Sequence, residues 1–255
     1  MTSLQNPKVQ RARRLLRRAV RIRENAFLIE GPRAVLETLA SSLAVEDVFV
    51  TEDLSQRSDI EAAAGSRSIV VTEKVLRAMS DTDSPQGVVA VATRPGIDLR
   101  SAVDRATLVL VLAGVRDPGN AGTLLRSAMA AGADAVVFTD ESVDPFGPKT
   151  VRASAGAIAR LPIVEEPHLD AVVQALHEAG LRVLATEASG PPAYELDLAA
   201  PVAFVLGNEA WGLPAGSQDA MDGRVGIPMP GPVESLNVGI AGSLLLFEAL
   251  RQRRD

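Results

Sequence analysis

Apolar runs and helical-period stretches alternate along the whole chain of 255 residues. Up to residue 95 the runs are short. Positions 27–30, 45–50, 69–72 and 86–92 read as strands, and 32–41, 59–64 and 73–80 as helices between them. Pro32 opens its helix, where the missing N–H costs nothing, and Gly65 closes another. At the start of the chain, Leu15, Leu16, Ala19 and Val20 form a narrow apolar stripe that predicts one helix over 9–20. The stretch Arg94-Pro95-Gly96-Ile97-Asp98 has linker composition. Beyond it the apolar runs lengthen. Residues 107–115 are continuously apolar, the mark of a central parallel strand covered on both faces. A turn over 117–120 and a helix over 121–131 follow, with Gly132 as its C-cap. Then come a strand at 135–138, an Ala- and Gly-rich helix over 150–160, a helix over 169–179, and strands at 182–186 and 202–206. A short apolar run at 225–229, broken by Pro228 and Pro230, leads to a final apolar helix over 239–250. The pattern predicts two α/β units, 1–95 and 104–255, the second built on a parallel sheet. No repeat or low-complexity tract interrupts it.

Composition narrows the chemistry. With 47% hydrophobic residues the chain can build a sizeable core. No apolar run approaches the roughly 20 residues a membrane span needs, and arginines interrupt every short apolar stretch up to Arg23, so no signal core is expected. There is no cysteine, hence no disulfide, thiolate metal site or cysteine nucleophile. The two histidines, His168 and His177, lie nine apart in a surface helix and make a histidine metal site improbable. A cytoplasmic, metal-free protein without a membrane partner is expected.

Charge changes the picture more. The net charge of −6 argues against nucleic acid on its face. Residues 1–30, however, hold eight Lys or Arg against two acids, so +6, which leaves −12 on the rest. Arg11, Arg13, Arg14, Arg17, Arg18 and Arg21 fall within eleven residues with no acid among them. Like charges at helical spacing repel by a few tenths of a kcal/mol per pair, and guanidinium groups match phosphate oxygens bidentately. Arg11, Arg14, Arg17, Arg18 and Arg21 are therefore candidate RNA-phosphate contacts, against the blander reading of a solvated helix face. DNA is not expected.

The chemistry-bearing residues cluster where strands end. Residues 202–206 run into Gly207-Asn208-Glu209, and Ser235-Leu236-Asn237 precedes the last helix. In open α/β sheets ligands bind at the carboxyl ends of strands. Asn120, in the 117–120 turn, can donate and accept hydrogen bonds, but it also suits a turn for its backbone preference. Asn237 and Ser235 are both competent helix caps. Ile227, Met229 and Leu236 read equally well as core. No glycine-rich dinucleotide fingerprint and no GKS or GKT loop is present, which disfavours NAD and ATP.

Three segments in order, DPGNAGTLLRSA at 117–128, GNEAWGLP at 207–214 and IPMPGPVESLNVGIAGSLLLFE at 227–248, resemble the motifs of SpoU-type (TrmH-like) RNA ribose 2′-O-methyltransferases of the SPOUT class. Ala210 and Gly239 stand where that family usually has Gly and often has Ser, both small-for-small changes. More softly, FLIEGPRAVLETL and SPQGVVAVA resemble segments of the family's N-terminal substrate-binding domain. The resemblance implies a parallel-sheet domain with a deep trefoil knot, S-adenosylmethionine as cofactor, and homodimerisation through the knot domain. Leu244, Leu245, Leu246, Phe247 and Leu250 supply apolar surface for that dimer, although a helix buried in one chain would look the same. It implies Asn120, Arg126, Glu209 and Asn237 as active-site residues. Leu206, Gly207, Ile227, Met229, Ser235 and Leu236 would hold the cofactor. A guanidinium stays protonated near neutral pH, so Arg126 reads as a grip on a phosphate beside the ribose, with a perturbed Arg base as the minority view. Glu209 orients its neighbours, or acts as general base if burial raises its pKa. Large-subunit rRNA is the expected substrate, because the separate N-terminal domain resembles that of rRNA enzymes. With one Trp and one Tyr, recognition is expected to rest on shape and phosphate contacts more than stacking. The alternatives are a non-catalytic RNA-binding or ribosome-assembly factor on the same fold, a tRNA 2′-O-methyltransferase, and a small-molecule Rossmann-type enzyme.

Overall fold

The structure, a computed structural model, describes residues 2–55, 58–166 and 168–254. It divides into two compact units: Met1–Pro95 with Asp144–Arg160, and Gly96–Val143 with Leu161–Asp255. The break falls inside the linker-like stretch, between Pro95 and Gly96. Residues 96–103 fold with the second unit. The segment 144–160, which lies in the sequence of the second unit, folds with the first.

In the first unit the order is α1 (Pro7–Arg14), α2 (Arg18–Glu24), β1 (Ala26–Glu30), α3 (Pro32–Leu39), β2 (Val45–Thr51), α4 (Glu52–Ser55), α5 (Ser58–Ala64), β3 (Ser68–Val71), α6 (Glu73–Met79) and β4 (Val88–Thr93). The sheet order is β1-β4-β2-β3, with β4 antiparallel to both neighbours and β3 parallel to β2. The single helix predicted over 9–20 is two. α1 stops at Arg14, and Arg17 takes extended backbone as the N-cap of α2. Arg21 closes the break, since its Nη1 donates to the Leu15 carbonyl at 2.7 Å, one of the acceptors a helix end leaves without a partner. Val9, Ala12, Leu15 and Val20 all enter the core beside Phe49, Val75, Leu76 and Val89. The basic segment is therefore part of the fold and not an appended arm.

The second unit contains α7 (Leu99–Val103), β5 (Leu108–Leu112), α8 (Pro118–Ala131) and β6 (Ala135–Phe138). After α9 (Pro148–Ala153), which belongs to the first unit, it continues with β7 (Ile163–Glu165), α10 (Leu169–Glu178), β8 (Arg182–Thr186), β9 (Val202–Leu206), β10 (Gly223–Val225) and α11 (Val238–Gln252). Its six strands are all parallel, in the order β10-β8-β9-β5-β6-β7. β5 and β9, the continuously apolar runs, sit in the middle and are buried throughout. Three details differ from the periodicity. The helix predicted over 150–160 ends at Ala153, because Ala155 and Gly156 take left-handed backbone. Asp98, read as linker, caps α7 by accepting from the Arg100 and Ser101 N–H groups. Of the 225–229 run only Val225 is strand; the prolines leave the rest as loop. Two short elements escape the pattern: four-residue α4 and three-residue β7 are too brief to carry a period.

Candidate active site

β5 and β9 end side by side, Leu112 opposite Leu206. From β5 the chain turns to α8 and β6 on one side; from β9 it leaves toward β10 on the other. Such a reversal opens a crevice at the strand ends. The buried Asn208 ties the two loops together. Its Nδ2 donates to the Gly114 carbonyl at 2.7 Å, and its Oδ1 accepts from the Ala210 N–H at 2.8 Å. Asn208 and Gly212 exchange both backbone hydrogen bonds, at 2.8 and 3.0 Å, so Glu209, Ala210 and Trp211 form the tip of a tight hairpin. Gly207 admits no side chain: a Cβ there would lie 2.5 Å from the Leu213 N and 2.6 Å from the Gly212 O.

Three predicted site residues meet above this crevice. Glu209 Oε1 accepts from Asn120 Nδ2 at 3.0 Å and from the Asp117 N–H at 3.2 Å; its Oε2 accepts from the Arg116 N–H at 3.2 Å. Asn120 Oδ1 accepts from Asn237 Nδ2 at 2.9 Å. Both ends of the Asn120 amide are thereby assigned, since only this orientation satisfies both partners. Asn237 serves twice. Its Oδ1 caps α11 by accepting from the Ile240 N–H at 3.2 Å, while its Nδ2 holds Asn120. Asp117 likewise caps α8 through the Asn120 N–H at 2.8 Å.

Burial pushes the Glu209 carboxyl up, but the Asn120 amide and the N–H groups of Glu209, Arg116 and Asp117 outweigh it, and the pKa falls below the ordinary 4.5. Glu209 is thus an ionised anchor. The burial-raised pKa on which a base role for this residue was conditioned is not what its hydrogen-bond partners produce. Arg126 does not join the network. It is exposed on α8, pairs with no described residue, and lies roughly 120° around the helix from Asn120.

A cavity of about 460 Å³ opens beside these residues. Leu206, Gly207, Ile227, Met229, Ser235 and Leu236, all six predicted cofactor contacts, line it together with Thr186, Glu187, Asn208, Glu209 and Asn237. Ile227, Met229 and Leu236 are half-buried toward this cavity and not core. Its floor is fixed by a second close approach. A Cβ on Gly226 would lie 2.6 Å from the Gly190 O and 2.8 Å from the Glu187 O. Sequence reasoning gave Asn208 and the 187–190 turn no role. The signal for Asn208 was its place between a glycine and the one carboxylate of the turn; nothing local marks 187–190. No group of His, Asp and Glu among the described residues is arranged to hold a metal ion.

The arginine rows of the first unit meet acids that sequence proximity hides. Arg11 pairs with Glu24 at 3.0 Å and Glu46 at 2.5 Å, and Arg14 reaches Glu24 at 3.6 Å. Arg21 is buried at 5% exposure, with Nη2 on Asp144 Oδ2 at 2.5 Å, and Arg18 lies 3.9 Å from the same carboxylate. The expectation of six arginines without acid partners is overturned, and Arg21 is a structural residue. Arg13 and Arg17 are exposed and pair with no described side chain.

Comparison with known proteins covers both units. Residues 107–247 match the SpoU rRNA Methylase family, and residues 6–90 match an MRM3-like substrate binding domain. The chain is 34% identical over 246 residues to the 23S rRNA (guanosine(2553)-2′-O)-methyltransferase RlmP of Bacillus subtilis, covering 96% of each. An AdoMet-bound rRNA methyltransferase from Sinorhizobium meliloti superposes with a TM-score of 0.86 at 32% identity, over 98% of this chain and 97% of that one. A solved protein described by 2-OH methylation of C/U34 on tRNA matches at TM-score 0.51 and 32% identity; it covers 58% of this chain and 97% of its own. The matched stretch contains all three loops that converge on Asn120 and the cavity beside it, and the chain belongs to the SpoU rRNA methylase family.

Proposed function

We propose that this protein is an S-adenosylmethionine-dependent RNA 2′-O-ribose methyltransferase acting on large-subunit rRNA. The observation that carries the reading is the Glu209–Asn120–Asn237 chain of hydrogen bonds on the rim of the cavity. The cavity residues fit the cofactor chemically. Ile227, Met229 and Leu236 offer apolar walls for a flat base, and Thr186, Glu187 and Ser235 offer polar groups for a ribose and an amino acid. When bound, the cofactor supplies an electrophilic sulfonium methyl. The chain's own part is to place a ribose hydroxyl in line with it, and positioning carries much of such a rate. Asn120 Oδ1 keeps one acceptor site beyond its bond from Asn237, suited to the 2′ hydroxyl. Ionised Glu209 locks that amide. Arg126, an exposed guanidinium, grips an RNA phosphate.

The substrate-binding domain match and the full-length likeness to an rRNA enzyme favour rRNA over tRNA, since the tRNA-related protein spans 58% of this chain. Exposed Arg13, Arg14, Arg17 and Arg18 extend the phosphate contacts. Ile240, Leu244 and Phe247 are exposed at successive turns of α11, at 52%, 47% and 47%. This stripe, together with the family resemblance, supports a homodimer through a knotted second unit. No helix among the described residues is long and apolar enough to cross a membrane, consistent with work in the cytoplasm.

The test is methyl transfer from labelled S-adenosylmethionine to total RNA from a strain lacking the gene, followed by alkaline hydrolysis. Label in alkali-resistant dinucleotides of the large rRNA is expected. Label confined to tRNA would move the substrate, and cofactor binding without transfer to RNA or ribosomal particles would favour the non-catalytic reading.

A further inference from the structure

Trp211 is the chain's one tryptophan, and it stands 56% exposed at the tip of the hairpin that carries Glu209. A large aromatic ring held in water on a rigid loop serves no core. The loop leaves it little freedom to withdraw: both Asn208–Gly212 backbone bonds close the hairpin, and the Asn208 side chain bolts it to the Gly114 carbonyl. The Arg116 guanidinium lies 4.7 Å from the ring centroid. Arg116 is itself steered by Glu141, Nη2 to Oε2 at 2.7 Å. The same residue's backbone N–H donates to Glu209 Oε2. The stacked pair and the Glu209 carboxylate are therefore parts of one assembly. Trp211 lies two positions beyond Glu209, so their Cα atoms are at most about 7 Å apart.

We propose that Trp211, backed by Arg116, is a stacking platform for an unpaired RNA base next to the methylated ribose. An indole presents a flat apolar face that any base can cover, and a guanidinium on the opposite face adds positive charge toward the RNA. Rigid presentation avoids an ordering cost at binding. The inference rests on the proposed RNA methyl transfer and adds a base contact to a recognition otherwise expected to run on shape and phosphates. It also explains why the tip residue is a ring that the fold does not bury.

Two measurements on the full chain test it. Because Trp211 is the one tryptophan, its fluorescence reports this site alone. Total rRNA should quench it, and heparin, a polyanion without bases, should not. In methyl transfer to the same rRNA, Trp211→Ala should raise KM for RNA about 10- to 100-fold, with a much smaller change in kcat and cofactor affinity within about twofold. Trp211→Phe should recover most of the loss and Trp211→Leu should not. Equal quenching by heparin, no quenching by rRNA, an unchanged KM in Trp211→Ala, or rescue by Leu as good as by Phe would each overturn the platform. If the wild-type protein transfers no methyl group to RNA, the functional reading falls instead, and the rRNA-against-heparin quenching decides the platform alone.

Discussion

The arginine-rich start of the first unit and the carboxylate–amide network of the second are both clusters of polar chemistry, and they behave in opposite ways. In the first, an unbroken run of like charge turns out to be divided. Arg21 is buried on Asp144, 123 residues away, and Arg11 is held by Glu24 and Glu46, while Arg13 and Arg17 point to solvent. In the second, residues separated by 89 and 117 positions converge on one amide. The difference lies in what a local pattern can report. A charge run says how much charge there is but not which member a distant acid will neutralise. Loops at the carboxyl ends of adjacent parallel strands, by contrast, have their meeting point set by the sheet, so each motif brings its address with it.

Breaking the buried pair should have the largest effect. Arg21→Met leaves the largely buried Asp144 with only Arg18, 3.9 Å away, and strips the Leu15 carbonyl of its donor, for an expected loss in urea unfolding approaching the roughly 3–5 kcal/mol of a broken buried pair. A loss under about 1 kcal/mol, within the range of an exposed pair, would return Arg21 to the functional row. The counterpart in the second unit is Asn120→Ala, which removes both bonds of the central amide. It should lower kcat by about 10²–10³-fold, the scale of one lost preorganised group, with cofactor affinity nearly unchanged by calorimetry. A large loss of cofactor binding would make Asn120 a pocket residue instead. Gly207→Ala forces backbone apart under the cavity and should cost about 1–3 kcal/mol of stability together with cofactor affinity; a well-folded variant that binds normally would show the hairpin can shift.

Smaller effects sharpen the contrast. Arg17→Ala should leave stability unchanged and reduce the salt dependence of RNA binding by roughly 0.7–0.9 in slope, one phosphate's worth. An unchanged slope would leave the exposed arginines as plain solvated surface. The smallest expected effect concerns pH. Glu209 is held below 4.5, so its contribution is present above that value and is lost only as pH falls through the lowered folded pKa. Between about pH 5 and 9, Glu209→Gln should therefore reduce kcat without altering the shape of its pH profile. Disappearance of an acid limb in that variant would identify Glu209 as a titrating base after all.

The frame of the site is legible in the sequence. The 107–115 and 202–206 runs announced central parallel strands through their unbroken apolarity, and the Gly-, Asn- and Pro-rich turns after them marked where backbone would be free. Local order also offered Asn237, alongside Ser235, as a helix start, whereas the six cavity-lining residues were singled out by the family resemblance, since Ile227, Met229 and Leu236 read equally well as core. What lay beyond the sequence were the through-space choices. The partners of Arg11 and Arg21, the break between α1 and α2, the transfer of 144–160 to the first unit, and the lowered pKa of Glu209 all depend on which distant groups come within hydrogen-bond reach. Periodicity encodes the face a residue shows and turn chemistry encodes where the chain bends. Electrostatic partnership falls off over a few ångströms and carries no period, so it became visible only once the chain had folded.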